Sequence, residues 1–265
     1  MKANYHTHTH RCYHAQGNDE EYVKSAIKAG FKELGFSDHS PWKYNSSFVS
    51  NMRMPLSVFD EYYASIAALK EKYKNDISIK IGLECEYFEA YMPWLKEFIK
   101  EKKIDYIILG NHYHQSDEKG FYFGHKCTNR KALDLYVDEA IKAMKTGLYS
   151  YLAHPDLFMR AYPEFDKDCE EISYRLCRAA KELHIPLEYN LAGIVYNKRF
   201  NVHQYPHPKF WEIAAEVQND VIIGVDAHHY QHLEDIEMWE NAKAYLEKLG
   251  LNRIETIEMK DFTKF

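Results

Sequence analysis

Apolar residues along this chain fall into two alternating textures. Short runs rich in Val, Ile, Leu, Tyr and Phe occupy residues 3–6, 33–37, 78–83, 106–109, 151–153, 186–189 and 221–225. They are too brief for helices and are bounded by polar or turn-forming residues, a pattern that predicts buried strands. The stretches between them, at 20–29, 56–74, 91–102, 129–146, 167–183, 208–218 and 234–249, repeat their apolar residues every three or four positions, as a helix with one face in a core does. Each predicted strand is followed by a predicted helix. That order is the one of parallel strands joined by crossover helices, and it predicts an α/β fold, a barrel of about seven β/α units resembling a TIM barrel. An open doubly wound sheet would show the same alternation. Residues 253–257 read either as one further strand or as an irregular tail.

No internal repeat, low-complexity segment or Pro/Gly/Ser linker breaks the 265 residues, so one domain over 1–265 is expected. The net charge of -6 argues against general binding to nucleic acid or to an anionic membrane and leaves room for a small anionic substrate in a local basic pocket. MKANYHTHTH lacks the apolar stretch of a secretory signal, and no apolar run approaches the roughly 18 residues of a membrane span, which makes a cytoplasmic, soluble protein the expectation. Cys12, Cys85, Cys127, Cys169 and Cys177 include no CxxC pair and are expected to be reduced, packed thiols. Without a heptad run, the chain is expected to be a monomer or a small homo-oligomer.

Histidine changes the picture. The 15 histidines cluster, and nearly every predicted strand ends in a residue able to hold a metal: His6 and His8, His39, Glu84, His112 and His114, His154, then Asp226 and His228. In a barrel those ends converge on one rim. In HTH, alternate residues of an extended chain project to one side, so two imidazoles can reach one ion, while His10 would already be leaving the site. Glu84 ends a buried strand and needs either a Lys or Arg partner or a metal. Glu86 faces the other way or supports a ligand from behind. His112 lies nearer its strand end than His114, which is assigned to substrate contact. Pro155 stops the fifth strand just past His154. Asp226 either ligates or orients a ligand histidine.

In this order along the chain, HTH, SDH, GLE, GNH, AHPD and DAH resemble the PHP (polymerase and histidinol phosphatase) family, and AHPDLFMR, LEYNLAGIVYNKRFN and QYPHPKF resemble its histidinol-phosphate phosphatase branch. The resemblance implies a distorted seven-stranded β/α barrel. It further implies two to three divalent ions (zinc, iron or manganese): one held by His6, His8, Glu84 and Asp226, a second by Glu84, His112 and His154, a third by His14, His39 and His228. Glu84 would bridge two of them. The family places a carboxylate or a histidine shortly after its HxH, so Asp19 and Glu20 compete with His14, and RCYHAQGN departs from the branch pattern.

The implied reaction is hydrolysis of L-histidinol phosphate to L-histidinol and phosphate, in histidine biosynthesis, by in-line attack of a metal-bridging hydroxide with Glu84, His154, Asp226 and His228 as the catalytic set. Arg160 and Arg199 are the candidates for gripping phosphate, since guanidinium forks match its oxygens. Glu188, Asn190 and His114 are the candidates for contacting the rest of the substrate. Three other readings compete. Another phosphoesterase of the family would act on phosphotyrosine, a nucleotide or a nucleic-acid end, the last disfavoured by the acidic balance. A non-catalytic metal-binding regulatory module would be expected to lack some ligands. An amidohydrolase-like enzyme shares HxH and a later aspartate but would want a lysine to carry a bridging carbamate.

Overall fold

The computed structural model describes residues 2–265. Eight parallel strands pair in sequential order: β1 (Ala3–Asn4), β2 (Glu33–Phe36), β3 (Ser78–Cys85), β4 (Tyr106–Gly110), β5 (Leu152–Ala153), β6 (Leu187–Asn190), β7 (Asp220–Gly224) and β8 (Asn252–Arg253). Strands covered on both faces must be apolar on both, which is why YIILG of β4 and the VIIG of β7 are nearly unbroken apolar runs. The sequence predicts seven strands; β8 is the eighth, a two-residue addition beside β7 through Asp220↔Asn252 and Val221↔Arg253.

Nine α-helices connect the strands: α1 (Asp19–Lys28), α2 (Phe59–Lys72), α3 (Met92–Glu101), α4 (Phe123–Lys126), α5 (Arg130–Lys145), α6 (Lys167–Glu182), α7 (Leu191–Phe200), α8 (Pro208–Val217) and α9 (Ile236–Lys248) among the described residues. α4 and α7 are additional to the seven that periodicity predicts. Only Leu191 and Gly193 of α7 are buried, so it carries almost no apolar stripe, and it starts where the Asn190 side chain accepts from Gly193 N at 2.9 Å. Among the described residues no helix is long and apolar enough to cross a membrane.

At its carboxyl end the sheet turns back on itself. Thr7 forms a parallel bridge with Ala227, through His8 N to Ala227 O at 3.0 Å and Ala227 N to His6 O at 3.2 Å, while Asn4 Oδ1 accepts from Val225 N at 2.9 Å. The first and seventh strands therefore meet at the rim, and β8 lies beside β7 at the opposite end. This is a distorted barrel.

Two apolar layers fill it. Tyr5, Tyr106, Ile108, Tyr151 and Ile222 with Ala3, Ala153 and Ile257 pack inside the strands, and a larger cluster packs between strands and helices. Tyr106 is fully buried and donates its hydroxyl toward Tyr5 O (2.7 Å) and Phe36 O (3.1 Å). Its ring lies against Gly35 and Gly82, where any Cβ would collide with it. The five cysteines are all buried and unpaired.

Candidate active site

The rim where β1 meets the seventh strand carries two pairs of chemical residues, each pair separated by one residue. His6 and His8 flank Thr7, whose Oγ1 accepts from Asn4 Nδ2 at 2.8 Å, so both imidazoles turn inward together. Asp226 flanks Ala227 on the facing segment and takes a left-handed backbone (φ 51°), as does His154 (φ 31°) at the end of β5. Left-handed conformations of residues other than glycine cost on the order of 1–3 kcal/mol each and persist where surrounding structure enforces them. The bend at His154 aims its ring at Glu84, which stands fully buried near the end of β3, and the bend at Asp226 aims its carboxylate at His6 and His8.

Four donors form a cage. His6 Nε2 lies 3.4 Å from Asp226 Oδ1 and 3.5 Å from Glu84 Oε1; His8 Nε2 lies 3.3 Å from Asp226 Oδ1 and 3.5 Å from Glu84 Oε2. His6 Nε2, His8 Nε2, Asp226 Oδ1 and Glu84 Oε2 are buried without a hydrogen-bond partner among the described residues, because the close approaches lack hydrogen-bond alignment. Buried polar atoms are ordinarily satisfied. A tetrahedral zinc with ligand bonds of roughly 2.0–2.1 Å holds its ligands roughly 3.3–3.4 Å apart, close to the 3.3–3.5 Å of the four histidine–carboxylate approaches. The residues fit a divalent cation.

A second set shares Glu84. Its Oε1 lies 3.0 Å from His154 Nε2 and 3.3 Å from His112 Nε2, and those two nitrogens are 3.2 Å apart. On the other side Glu84 Oε2 lies 3.0 Å from His39 Nδ1. Around His228 the donors form two overlapping groups, His8–His39–His228 and Cys12–His14–His228. His14, which the resemblance groups with His39 and His228, lies beside both, its ring centroid 5.5 Å from that of His39 and 4.7 Å from that of His228, and its Nδ1 is 2.7 Å from the Cys12 carbonyl.

For His6, His8 and His112 the inward nitrogen is set by what holds the other one. Glu188 Oε1 is 2.8 Å from His6 Nδ1, and its Oε2 accepts from His154 N at 3.1 Å and from Asn190 Nδ2 at 2.9 Å. Asn190 Nδ2 also reaches Asp226 Oδ2 at 3.1 Å, which leaves Oδ1 for the cage. Asp38 Oδ1 is 3.4 Å from His8 Nδ1, and Glu86 Oε1 is 3.1 Å from His112 Nδ1. A carboxylate behind an imidazole fixes its tautomer and turns the lone pair of the other nitrogen toward an ion.

The charges respond accordingly. Burial opposes charge on His6, yet Asp226, Glu188 and Glu84 outweigh it and hold His6 well above the ordinary imidazole pKa. Burial likewise opposes ionisation of Glu84 and Asp226. His112, His6 and His39 keep Glu84 well below the usual carboxylate range, and His6, His228 and His8 do the same for Asp226. His228 moves the other way, pushed down to about 3 by burial and by His8. Two carboxylates that stay ionised while buried are the electrostatic setting of a cation site.

Above the cage opens a cavity of about 620 Å³, with His8, His39, Glu84, His112, His154, Asp226 and His228 at its floor and Tyr122, Arg160, Tyr196, Arg199 and Tyr205 among its walls. The Arg160 guanidinium lies 4.5 Å from the Tyr196 ring centroid and donates to Tyr122 Oη at 3.1 Å. Its Nε is buried and unpartnered, and no carboxylate lies within ion-pair distance among the described residues. An aromatic cradle holds this cation and leaves it charge to spare.

A family profile described as PHP domain matches residues 4–192. The chain belongs to the PHP family. Among curated proteins it is 28% identical over 232 residues to one named Probable histidinol-phosphatase from Deinococcus radiodurans, covering 84% of this chain and 85% of that one. It is 24% identical over 286 aligned positions to another of that name from Schizosaccharomyces pombe, covering 97% and 90%. In solved structures, the histidinol phosphate phosphatase of Lactococcus lactis complexed with zinc, L-histidinol and phosphate has the same fold, with a TM-score of 0.70 at 21% identity over 97% of this chain and 98% of that one.

In this PHP chain three expected substrate contacts lie elsewhere. Glu188 and Asn190 are fully buried behind His6, His154 and Asp226 and do not line the cavity. Alternation along β6 correctly turns both inward but does not say on which side of the ligand layer they end. His114 points away from the cavity to Glu139, 2.6 Å off, because the chain has already left its extended course and turns at Gln115 (φ 62°). Arg160 lines the wall, and Arg199 stands at the exposed rim. Sequence reasoning missed Asp38, Cys12 and the wall tyrosines. Asp38 had a legible signal in SDH; the others sit in segments without periodicity.

Proposed function

We propose that this chain is a phosphatase that hydrolyses L-histidinol phosphate to L-histidinol and phosphate, with one domain over 1–265 carrying the whole site. The observation that carries the reading is the unpartnered cage of His6, His8, Glu84 and Asp226 beneath a cavity walled by an unpaired arginine. The substrate is supported by the curated relatives, several of them named histidinol-phosphatase, including proteins of Bacillus subtilis (26% identical) and Lactococcus lactis (25% identical).

His6, His8, Glu84 and Asp226 would hold one divalent ion, and Glu84, His112 and His154 a second, with a third near His228. Zinc is the metal in the solved neighbour of the same fold, and iron and manganese suit the same donors. When bound, such ions neutralise the phosphate and acidify a water so that a nucleophile exists at neutral pH. Everything else falls to the chain. Arg160 is placed to bind the phosphate oxygens through its free donors, with Arg199 closing from the rim. The tyrosines of the wall give the leaving alcohol, which carries an imidazole, flat surfaces to pack on. His228 Nδ1 is 3.1 Å from the Asp226 carbonyl, so its proton is held there and its Nε2 presents a lone pair to the cavity. That is the state of a ligand or a base.

The deciding experiment is phosphate release by zinc-loaded protein from L-histidinol phosphate, beside p-nitrophenyl phosphate, a phosphotyrosine peptide and a nucleotide. The expected kcat/KM for histidinol phosphate is about 10⁴ M⁻¹s⁻¹ or more and far above the others. Equal, weak turnover of all four would remove the substrate assignment. Arg160→Met is expected to lower kcat/KM about 10- to 100-fold, the loss of charged hydrogen bonds to phosphate.

A further inference from the structure

Residues 41–55 cross the rim without regular secondary structure, and within them Arg53 is 1% exposed. A guanidinium buried that deeply in an irregular loop needs a reason, since burying a charge is unfavourable unless it is fully paired. Every one of its nitrogens is engaged. Nη2 donates to Glu86 Oε1 at 2.7 Å, Nη1 to Glu86 Oε2 at 2.9 Å and to Ser40 O at 3.2 Å, and Nε to Asp117 Oδ2 at 3.0 Å.

Glu86 is saturated in turn. Besides the two-pronged arginine, its Oε2 accepts from Trp42 Nε1 at 3.1 Å, and its Oε1 lies 3.1 Å from His112 Nδ1. An ionised carboxylate only accepts, so His112 carries its proton on Nδ1 and turns the Nε2 lone pair toward Glu84 Oε1 and His154 Nε2. Asp117 also ties down the neighbouring loop, accepting from Tyr44 Oη at 2.6 Å and Ser50 Oγ at 2.8 Å.

From this chain of contacts we infer that Arg53 is a positioning residue for one ion site: by clamping Glu86 it fixes His112 as an Nε2 ligand, and so supports the ion held by Glu84, His112 and His154 in preference to the one held by His6, His8 and Asp226. The selectivity follows from geometry, because the His6 imidazole is oriented independently by Glu188. Without Arg53, Glu86 would keep its burial and lose the two-pronged clamp that holds its Oε1 against His112 Nδ1. The inference rests on the two-ion reading of the site and not on the identity of the substrate.

The test is a cobalt(II) titration of the metal-free full-length protein followed by visible absorption, which reports each ion's ligand field without turnover. Loss of a carboxylate behind a ligand histidine typically weakens metal binding about 10- to 100-fold. Arg53→Met is expected to weaken one cobalt equivalent by that factor and leave the other at wild-type affinity, with Arg53→Lys recovering part of the loss. Should Arg53→Met not fold, Glu86→Gln, which keeps the shape of the clamp and removes its charge, is expected to give the same one-sided loss. A folded Arg53→Met that binds both equivalents as wild type does, or that weakens both alike, overturns the inference. Wild-type protein that binds a single equivalent overturns the two-ion reading and the role of Arg53 with it, whereas two equivalents without turnover of histidinol phosphate would count against the substrate alone.

Discussion

Asp156 shows how burial can set the charge of a single residue beside the site. Its Oδ2 accepts from His207 N at 2.6 Å and Trp211 Nε1 at 3.2 Å, its Oδ1 has no partner among the described residues, and burial pushes its pKa from 3.8 up to about 7. A carboxyl raised in the folded state keeps a proton that the unfolded chain releases. Its contribution to stability is therefore complete below the unfolded pKa and is lost as pH rises through the folded one. Asparagine copies the neutral acid in shape and charge. Asp156→Asn is expected to be more stable than wild type in urea, with an advantage that grows by about 2–3 kcal/mol between about pH 5 and pH 7 and then levels off. A gap that stays constant across that range would show that the carboxyl is not protonated in the fold.

At the scale of elements, what the sequence reveals depends on periodicity. β4 and β7 were legible because continuous apolar runs end in imidazole or carboxylate, and those ends converge in any parallel barrel. α7 was not, since a helix without an apolar stripe leaves no period to read, and β8 is too short to carry one. The loops were opaque for the same reason: nothing in the spacing of Arg53 or Tyr122 says what they will touch. Glu188 shows a subtler limit, in that a strand's alternation fixes the face of a side chain but not its depth in a layered site. Within the sheet, Gly35 and Gly82 are legible only once Tyr106 is seen between them. Gly82→Ala would press a methyl group into that ring and is expected to destabilise the fold by about 1–3 kcal/mol, lowering Tm by roughly 3–10 °C in calorimetry. An unchanged Tm would mean that the ring can move aside freely.

For the whole molecule, the net charge of -6 conceals where charge matters, which is the buried carboxylates at the rim. Glu84 and Asp226 stay ionised while buried at the convergence of several strands, so bound zinc should stabilise the entire fold. Zinc at a hundred times its dissociation constant contributes about 2.7 kcal/mol by mass action, which corresponds to a Tm increase of roughly 5–10 °C. Chelation should reverse it; a Tm indifferent to both zinc and chelator would argue that these residues bind no ion in the folded state. The closure between Thr7 and Ala227 has a further consequence during synthesis. His6 and His8 are made long before their partner Asp226 and the strand that braces it. Until then the growing chain holds three of the four donors, so metal capture at that site waits on the pairing of Thr7 with Ala227 that closes the barrel.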